Sequence, residues 1–250
     1  MSISAYVSSF LDFFYPRYCM YCNRNLNDTN EQHLCKDCTK QIPCIHAACC
    51  PRCGATLGPY ITATPQEGCS ACRGKSFYFD TLTFITYYNG VIKTLIHKFK
   101  YAKHKFLHHT LVNIVTTDDK LSEVVPHIDI IVPIPLHWLK KMHRGFNQSE
   151  LLSAGIHKYT GKPLYTNNLR RIKNTVSQTQ LSKTQRKANI QNAFFVNNPR
   201  MFKGKNILLV DDVLTTGVTA SECSKKLKNA GAASVHVFIL AKAESNRLAV

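Results

Sequence analysis

Four Cys-x-x-Cys pairs, Cys19/Cys22, Cys35/Cys38, Cys50/Cys53 and Cys69/Cys72, crowd into the first third of a 250-residue chain. Ten of the eleven cysteines lie between Cys19 and Cys72, and only Cys223 lies beyond. A two-residue gap lets a tight turn aim both sulfurs at one ion, and two such pairs complete a tetrahedral four-cysteine zinc site. Eight ligands therefore predict two Zn2+ ions. The spacers Asn23–Leu34 and Gly54–Gly68 are short enough for sequential pairing; a cross-braced arrangement, first pair with third, is the alternative. A closed four-cysteine site leaves no position for water, so the predicted role is structural, and the module is expected to unfold without metal. Residues 19–79 lack long periodic apolar runs, so metal rather than a hydrophobic core has to hold this zinc-ribbon module together. Cys44 and Cys49 are left over as packed or surface thiols. Thioredoxin-like redox chemistry needs Cys-x-x-Cys in a βαβ context, which none of these pairs has.

Residues 1–18 carry Val7, Phe10, Leu11 and Phe14 at helical spacing, without a basic leader. They are predicted as a short helix packed on the fold rather than a signal peptide. No run reaches the roughly 18–20 apolar residues needed to span a bilayer, so stable membrane insertion is not expected. The expected compartment is cytoplasmic, where thiols stay reduced and read as metal ligands before disulfides.

From residue 80 to 250 the texture changes. "TLTFITYY", "DIIVPIP", "NILLVDD" and "SVHVFILA" read as strands. Helical periodicity follows in "VIKTLIHKFKYA", from about Lys105 to Thr116, from Asn147 to Tyr159 and from Val218 to Asn229. Residues 172–185 are polar and aperiodic and read as a mobile loop. Short apolar strands alternating with helices predict an α/β domain with a mainly parallel central sheet.

The segment "ILLVDDVLTTGVTASE", residues 207–222, carries the second constraint. A buried strand ends in Asp211-Asp212, a short loop follows, and a helix begins near Val218. Loop amides at a helix N-terminus form an anion site, with hydroxyl donors from Thr215, Thr216 and Thr219. Gly217 permits close approach of backbone to a phosphate. Two carboxylates beside that loop suit sugar hydroxyls or the water shell of a cation. A 5-phosphoribosyl group has both parts. The stretch resembles the signature of type I phosphoribosyltransferases, which bind phosphoribosyl pyrophosphate with Mg2+. The resemblance implies that Asp211 and Asp212 contact the ribose and are the candidate catalytic residues. It implies that Thr215, Thr216, Gly217 and Thr219 hold the 5-phosphate. Val218 stands where a smaller residue is more usual.

Two further blocks narrow the resemblance. "VPIPLHWLKKMHRGFNQSELLS", residues 132–153, and "RRIKNTVSQTQLSKTQRKANIQNAF", residues 170–194, are similar to the ComF/GntX family of competence-linked phosphoribosyltransferase-like proteins. The zinc module in front matches that family's, and the likeness covers about residues 10–242. It implies that the loop containing Pro133 and Ile134 contacts pyrophosphate. Arg144 is the expected forked phosphate contact, because a guanidinium suits bidentate binding, with Asn147 and Gln148 orienting ligand or loop. The family likeness also implies a role in natural transformation, handling internalised single-stranded DNA, with other DNA-uptake or recombination proteins as possible partners. A transferase acting on an unknown small acceptor is one alternative; a zinc-ribbon adaptor is another. No acceptor base is identifiable.

Charge bears on that choice. There are 32 Lys and Arg against 15 Asp and Glu, a net +17. Residues 151–210 contain no acid and eleven basic residues. The excess therefore sits in the α/β domain and points to phosphorylated ligands or nucleic acid. In "KFKYAKHKF", Lys98, Lys100, Tyr101 and Lys103 interleave cations with aromatics, a pattern that suits strand binding. Arg170, Arg171 and Arg186 are expected either to clamp pyrophosphate or to bind a nucleic-acid backbone.

Overall fold

The computed structural model describes residues 17–26, 33–45, 47–101, 104–173 and 189–244. The expected N-terminal helix, Lys103, Arg186 and most of the loop expected at 172–185 lie outside the described residues. Along the chain run α1 (Lys36–Lys40), β1 (Thr81–Tyr87), α2 (Gly90–Tyr101), α3 (His108–Thr116), α4 (Asp119–Val124) and β2 (Ile130–Pro133). There follow α5 (Trp138–Arg144), α6 (Gln148–Thr160), β3 (Leu169–Arg171), β4 (Phe194–Val196), β5 (Asn206–Leu214), α7 (Val218–Asn229) and β6 (Ser234–Lys242).

The four apolar runs become one sheet in the order β1-β6-β5-β2, every neighbouring pair parallel. Continuous apolar strands need cover on both faces, and both are covered. On one face Leu208, Val210, Phe238 and Leu240 pack with Leu95, Phe99, Leu111, Leu152 and Ile156 from α2, α3 and α6. On the other, Ile207, Leu209, Val237 and Ile239 pack with Cys223 and Leu227 of α7, and with Leu169 and Phe194 of a small antiparallel β3-β4 pair.

Register places the future site. Pro133, last residue of β2, stands beside Val210. A proline lacks the amide donor that a central strand requires, and β2 is an edge strand, where the loss is tolerated. The next amide, Ile134 N, donates to Val210 O at 2.9 Å, which sets the proline loop against Asp211.

The cysteine module covers the opposite edge. Leu82 N donates to Pro51 O at 2.7 Å, and Thr86 Oγ1 donates to Pro43 O at 3.0 Å. An edge strand left bare is a pairing hazard, so this cover protects β1. On the far side of α2, Lys98 Nζ donates to Met20 O at 2.8 Å.

One glycine is required for packing rather than for its backbone angles. Gly155 lies inside α6, where a Cβ would collide with both γ-methyls of Val112 on α3. Gly155→Ala should therefore lower stability by about 1–3 kcal/mol through overpacking, although alanine is the better helix former. Thermal unfolding checks this, and Val112→Ala in the same chain should recover part of the loss.

Candidate functional site

Each Cys-x-x-Cys pair closes the same turn. The amide four residues after the first cysteine donates to that cysteine's carbonyl: Asn23 to Cys19 at 3.0 Å, Thr39 to Cys35 at 2.9 Å, Gly54 to Cys50 at 2.8 Å and Arg73 to Cys69 at 3.0 Å. Asn23 and Gly54 occupy the left-handed region, at φ 60° and 68°, which Asn and Gly tolerate best. Gly54 is doubly constrained, because a Cβ there would press on the Lys242 side chain at 2.9 Å. The turns gather the sulfurs into two groups, Cys19, Cys22, Cys35 and Cys38, then Cys50, Cys53, Cys69 and Cys72. Pairing is thus sequential, not cross-braced. Sulfur separations of 3.8 Å for Cys22–Cys35, 3.9 Å for Cys50–Cys72 and 3.6 Å for Cys53–Cys69 fit a tetrahedron around zinc. With Zn–S near 2.3 Å, the edge of such a tetrahedron is about 3.8 Å. Two Zn2+ sites of structural type fit these ligands. Arg24 donates to Cys35 Sγ at 3.1 Å and pairs with Asp37 at 2.6 Å, which places a cation against the first thiolate group.

A cavity of about 250 Å³ opens at the carboxyl ends of β2 and β5, where parallel sheets place their ligands. Asp211 and Asp212 line it together with Thr215, Gly217 and Thr219. The strand runs on to Leu214, two residues past the acids, so the loop shrinks to Thr215–Gly217 before α7 begins. Gly217 caps α7 in the left-handed region at φ 77°, and a Cβ there would also meet the Phe77 ring at 3.3 Å. Phe77 stacks on Phe79, and Tyr78 N donates to Ser221 Oγ at 3.1 Å. The chain leaving the second cysteine group thus supports the N-terminus of α7 from below. Thr216, expected with the phosphate-binding residues, does not line the cavity; its hydroxyl is buried with no hydrogen-bond partner among the described residues.

The acids differ in their surroundings. Ser149 Oγ donates to Asp211 Oδ1 at 2.7 Å, and Asp212 N donates to the same oxygen at 2.9 Å. Burial, then the Asp212 charge, nevertheless push the Asp211 carboxyl up to about 7. Asp212 Oδ2 lies 2.7 Å from Lys100 Nζ, both side chains largely enclosed.

Opposite the acids stands a basic wall. Asn147 caps α6 through Ser149 N at 3.2 Å and donates from Nδ2 to Ile134 O at 3.1 Å, so it fixes the proline loop. Arg144 donates to Gln148 Oε1 at 3.2 Å and to Tyr101 Oη at 3.4 Å, its guanidinium 5.1 Å from the Tyr101 ring centre. Lys140 and Arg171 complete the wall. Burial, with repulsion from Arg171 and Arg144, holds the Lys140 ammonium below its ordinary value. Of the residues expected on a nucleic-acid surface, Lys100, Tyr101 and Arg171 come to the cavity. Lys98 is tied to Met20, and Arg170 points the other way from Arg171, with Nε bonded to Asn167 O at 3.2 Å. Residue-by-residue reading did not anticipate Lys100 inside the site, Ser149 on Asp211, or Phe77 under Gly217. Lys100 follows the buried Phe99 and stands four residues after buried Ile96, so its place at the margin of the α2 apolar stripe was the available signal.

A parallel sheet with this cavity at its carboxyl edge, fronted by two four-cysteine centres, defines a type I phosphoribosyltransferase fold behind a zinc ribbon. A family model described as double zinc ribbon domain matches residues 10–73, and one described as phosphoribosyl transferase domain matches residues 137–250. Competence protein F of Haemophilus influenzae is 31% identical over 229 residues, covering 90% of this chain and 96% of that protein. DNA utilization protein YhgH of Escherichia coli K12 is 28% identical, over 84% and 96% respectively. Competence protein ComFC of Bacillus subtilis is 27% identical, over 84% of each. The chain belongs to the Competence protein F family and is a competence-associated, phosphoribosyltransferase-like protein. Among the described residues, no helix is long and apolar enough to cross a membrane.

Metal analysis of the purified chain should return two zinc ions. Chelation should melt the cysteine module, removing the cover from β1 and the Phe77 support from α7, and should lower the thermal midpoint of the whole chain. A stoichiometry of one would show that one cysteine group does not hold zinc.

Proposed function

We propose that this chain binds phosphoribosyl pyrophosphate with Mg2+ in the cavity at the end of β5 and uses that site while handling single-stranded DNA. The observation that carries the reading is the union in one cavity of two carboxylates, a helix N-terminus behind Thr215–Gly217, and a basic wall. Ribose hydroxyls donate to Asp211 and Asp212. The 5-phosphate accepts from Thr215, Thr219 and the first amides of α7, where the helix dipole favours an anion. The pyrophosphate lies along the loop of Ile134, Pro135 and Leu136, which follows Pro133 at the end of β2, facing Arg144, which Gln148 and Tyr101 hold in place. Carboxylate oxygens are suitable donors for Mg2+, which when bound offsets pyrophosphate charge. Calorimetry with phosphoribosyl pyrophosphate and Mg2+ tests the site: Asp212→Asn should weaken binding about a hundredfold, as for loss of a charged hydrogen-bond partner. A pyrophosphate-release assay across candidate acceptors separates a transferase from a binding protein.

The pH dependence follows from Asp211. Its pKa is raised, so the free site is protonated below about 7 and must lose that proton to accept ribose hydroxyls. Affinity should therefore rise with pH, by about tenfold from pH 6 to pH 8 for one such group. Asp211→Asn should flatten the profile apart from the ligand's own phosphate titration. A wild-type profile no steeper than that variant's counts against the assignment.

The DNA component rests on the outer side of the same wall. Trp138 is 59% exposed and Met142 73% exposed on α5, and Tyr101 is 56% exposed beside Arg144. Exposed aromatics next to cations suit base stacking with backbone neutralisation. The names of the relatives, competence and DNA utilization proteins, favour the same reading. Trp138 is the single tryptophan, so its fluorescence is a direct reporter. Oligothymidylate should quench it, with affinity falling by a log–log salt slope of about −0.7 per phosphate neutralised. Lys140→Glu should weaken that binding. Quenching that ignores both salt and Lys140→Glu would remove α5 from the DNA surface.

A further inference from the structure

Lys100 was expected on an exposed basic strip, but its ammonium sits inside the cavity. Its side chain is 17% exposed and that of Asp212 7%, and Nζ lies 2.7 Å from Asp212 Oδ2. The position is built rather than incidental. Phe99 anchors the preceding residue in the core, and Lys98 fixes the other side of α2 to Met20 O. Burial disfavours charge on Lys100, but attraction to Asp212 and then Asp211 outweighs it, so the group stays an ammonium.

This contact competes with the ligand. The oxygen that Lys100 occupies belongs to one of the two acids on which ribose hydroxyls are read to sit. A hydroxyl that takes over Asp212 Oδ2 leaves Lys100 as an enclosed cation with a weakened partner. Arg144 already repels it, so the basic wall offers no relief. Asp211 attracts it more weakly than Asp212, so an anion brought in by the ligand is the stronger replacement.

We infer that Lys100 is a ligand-exchanged counter-ion, which neutralises Asp212 in the free site and transfers to the ligand's diphosphate when ribose hydroxyls claim that carboxylate. The inference rests on the phosphoribosyl reading of the cavity and adds a specificity device to it. Ribose 5-phosphate displaces Lys100 and gives it nothing in return, since its one phosphate is taken at the α7 N-terminus. Phosphoribosyl pyrophosphate supplies a replacement partner. Lys100 thereby selects for the diphosphate-bearing sugar and acts as a positioning residue that offsets the repulsion between the two acids until that sugar arrives.

The test is calorimetric titration of phosphoribosyl pyrophosphate and of ribose 5-phosphate, both at fixed Mg2+, into the zinc-loaded full chain and its Lys100→Met, Lys100→Gln and Lys100→Arg variants. Lys100→Met should weaken phosphoribosyl pyrophosphate by about ten- to hundredfold, the scale of a charged hydrogen bond. Ribose 5-phosphate should bind it as well as, or better than, wild type. Lys100→Arg should retain the preference, a selectivity that a merely structural lysine would not control. Lys100→Gln serves if Lys100→Met does not fold. Equal weakening of both ligands, or no change in either, overturns the inference while leaving the phosphoribosyl reading in place. Wild type that binds neither sugar overturns that reading and the inference with it.

Discussion

Two carboxylates on consecutive residues at the end of a buried strand repel one another, and much of the α/β domain is arranged around that repulsion. Asp211 is met by a hydroxyl from α6 and by the amide of Asp212, while Asp212 is met by an ammonium from α2. Those contacts require the start of α6 and the end of α2 to converge over the carboxyl edge of the sheet. Asn147 serves that convergence twice, by capping α6 and by holding Ile134 O. Compensation is incomplete: the Asp211 carboxyl still sits at about 7. A site whose own groups do not fully satisfy its charges has a standing affinity for what would, here hydroxyl donors or a cation.

The zinc ribbons matter to this site although neither ion would touch it. The second cysteine group has only a small apolar cluster, Ala55 with Leu57, Ala63, Ala71 and Phe77 around the sulfurs, so zinc on the two cysteine groups would set the shape that the module presents to the neighbouring sheet. Met20 O receives Lys98, which steadies the helix carrying Lys100. Pro51 O receives Leu82 on the edge strand. Phe77 lies against Gly217, so the Thr215–Gly217 loop rests on the chain that emerges from the second cysteine group. Gly217 is therefore fixed twice, by its positive φ and by the ring beneath it.

The elements legible in the sequence were those whose signal is local. The helix read at Val218 to Asn229 is α7, because apolar periodicity and Gly217 mark it without reference to the rest of the chain. Strand β5 ran on to Leu214 because Val213 and Leu214 pair with Ala241 and Lys242, a partner no local pattern reveals. The three-residue strands β3 and β4 are too short to show a period. Helix α5 carries its large apolar residues, Trp138, Leu139 and Met142, on the surface, so it has no buried stripe to read. The basic-aromatic run through Lys98 to Phe106 looked like one surface. Helical geometry divides it, sending Lys98 to the zinc module, Phe99 to the core and Lys100 to the acids. The cysteine spacing fixed the number of metal sites but not their wiring, which depends on how the turns stack.

The charge excess of the chain takes on a more specific meaning inside the cavity. Lys100, Lys140, Arg144 and Arg171 arrive from α2, α5 and β3, and only the fold collects them opposite Asp211 and Asp212. Two of these cations, Lys140 and Arg171, are held at some cost. Lys140 is depressed by burial and by its cationic neighbours, just as Asp211 is raised by burial and by its acidic one. A simple anion relieves the cations and worsens the position of the acids. A simple cation does the reverse. A ligand that presents hydroxyls to one wall and phosphates to the other would lower both strains together, so on the proposed reading the order of polar groups along the ligand matters more than its net charge.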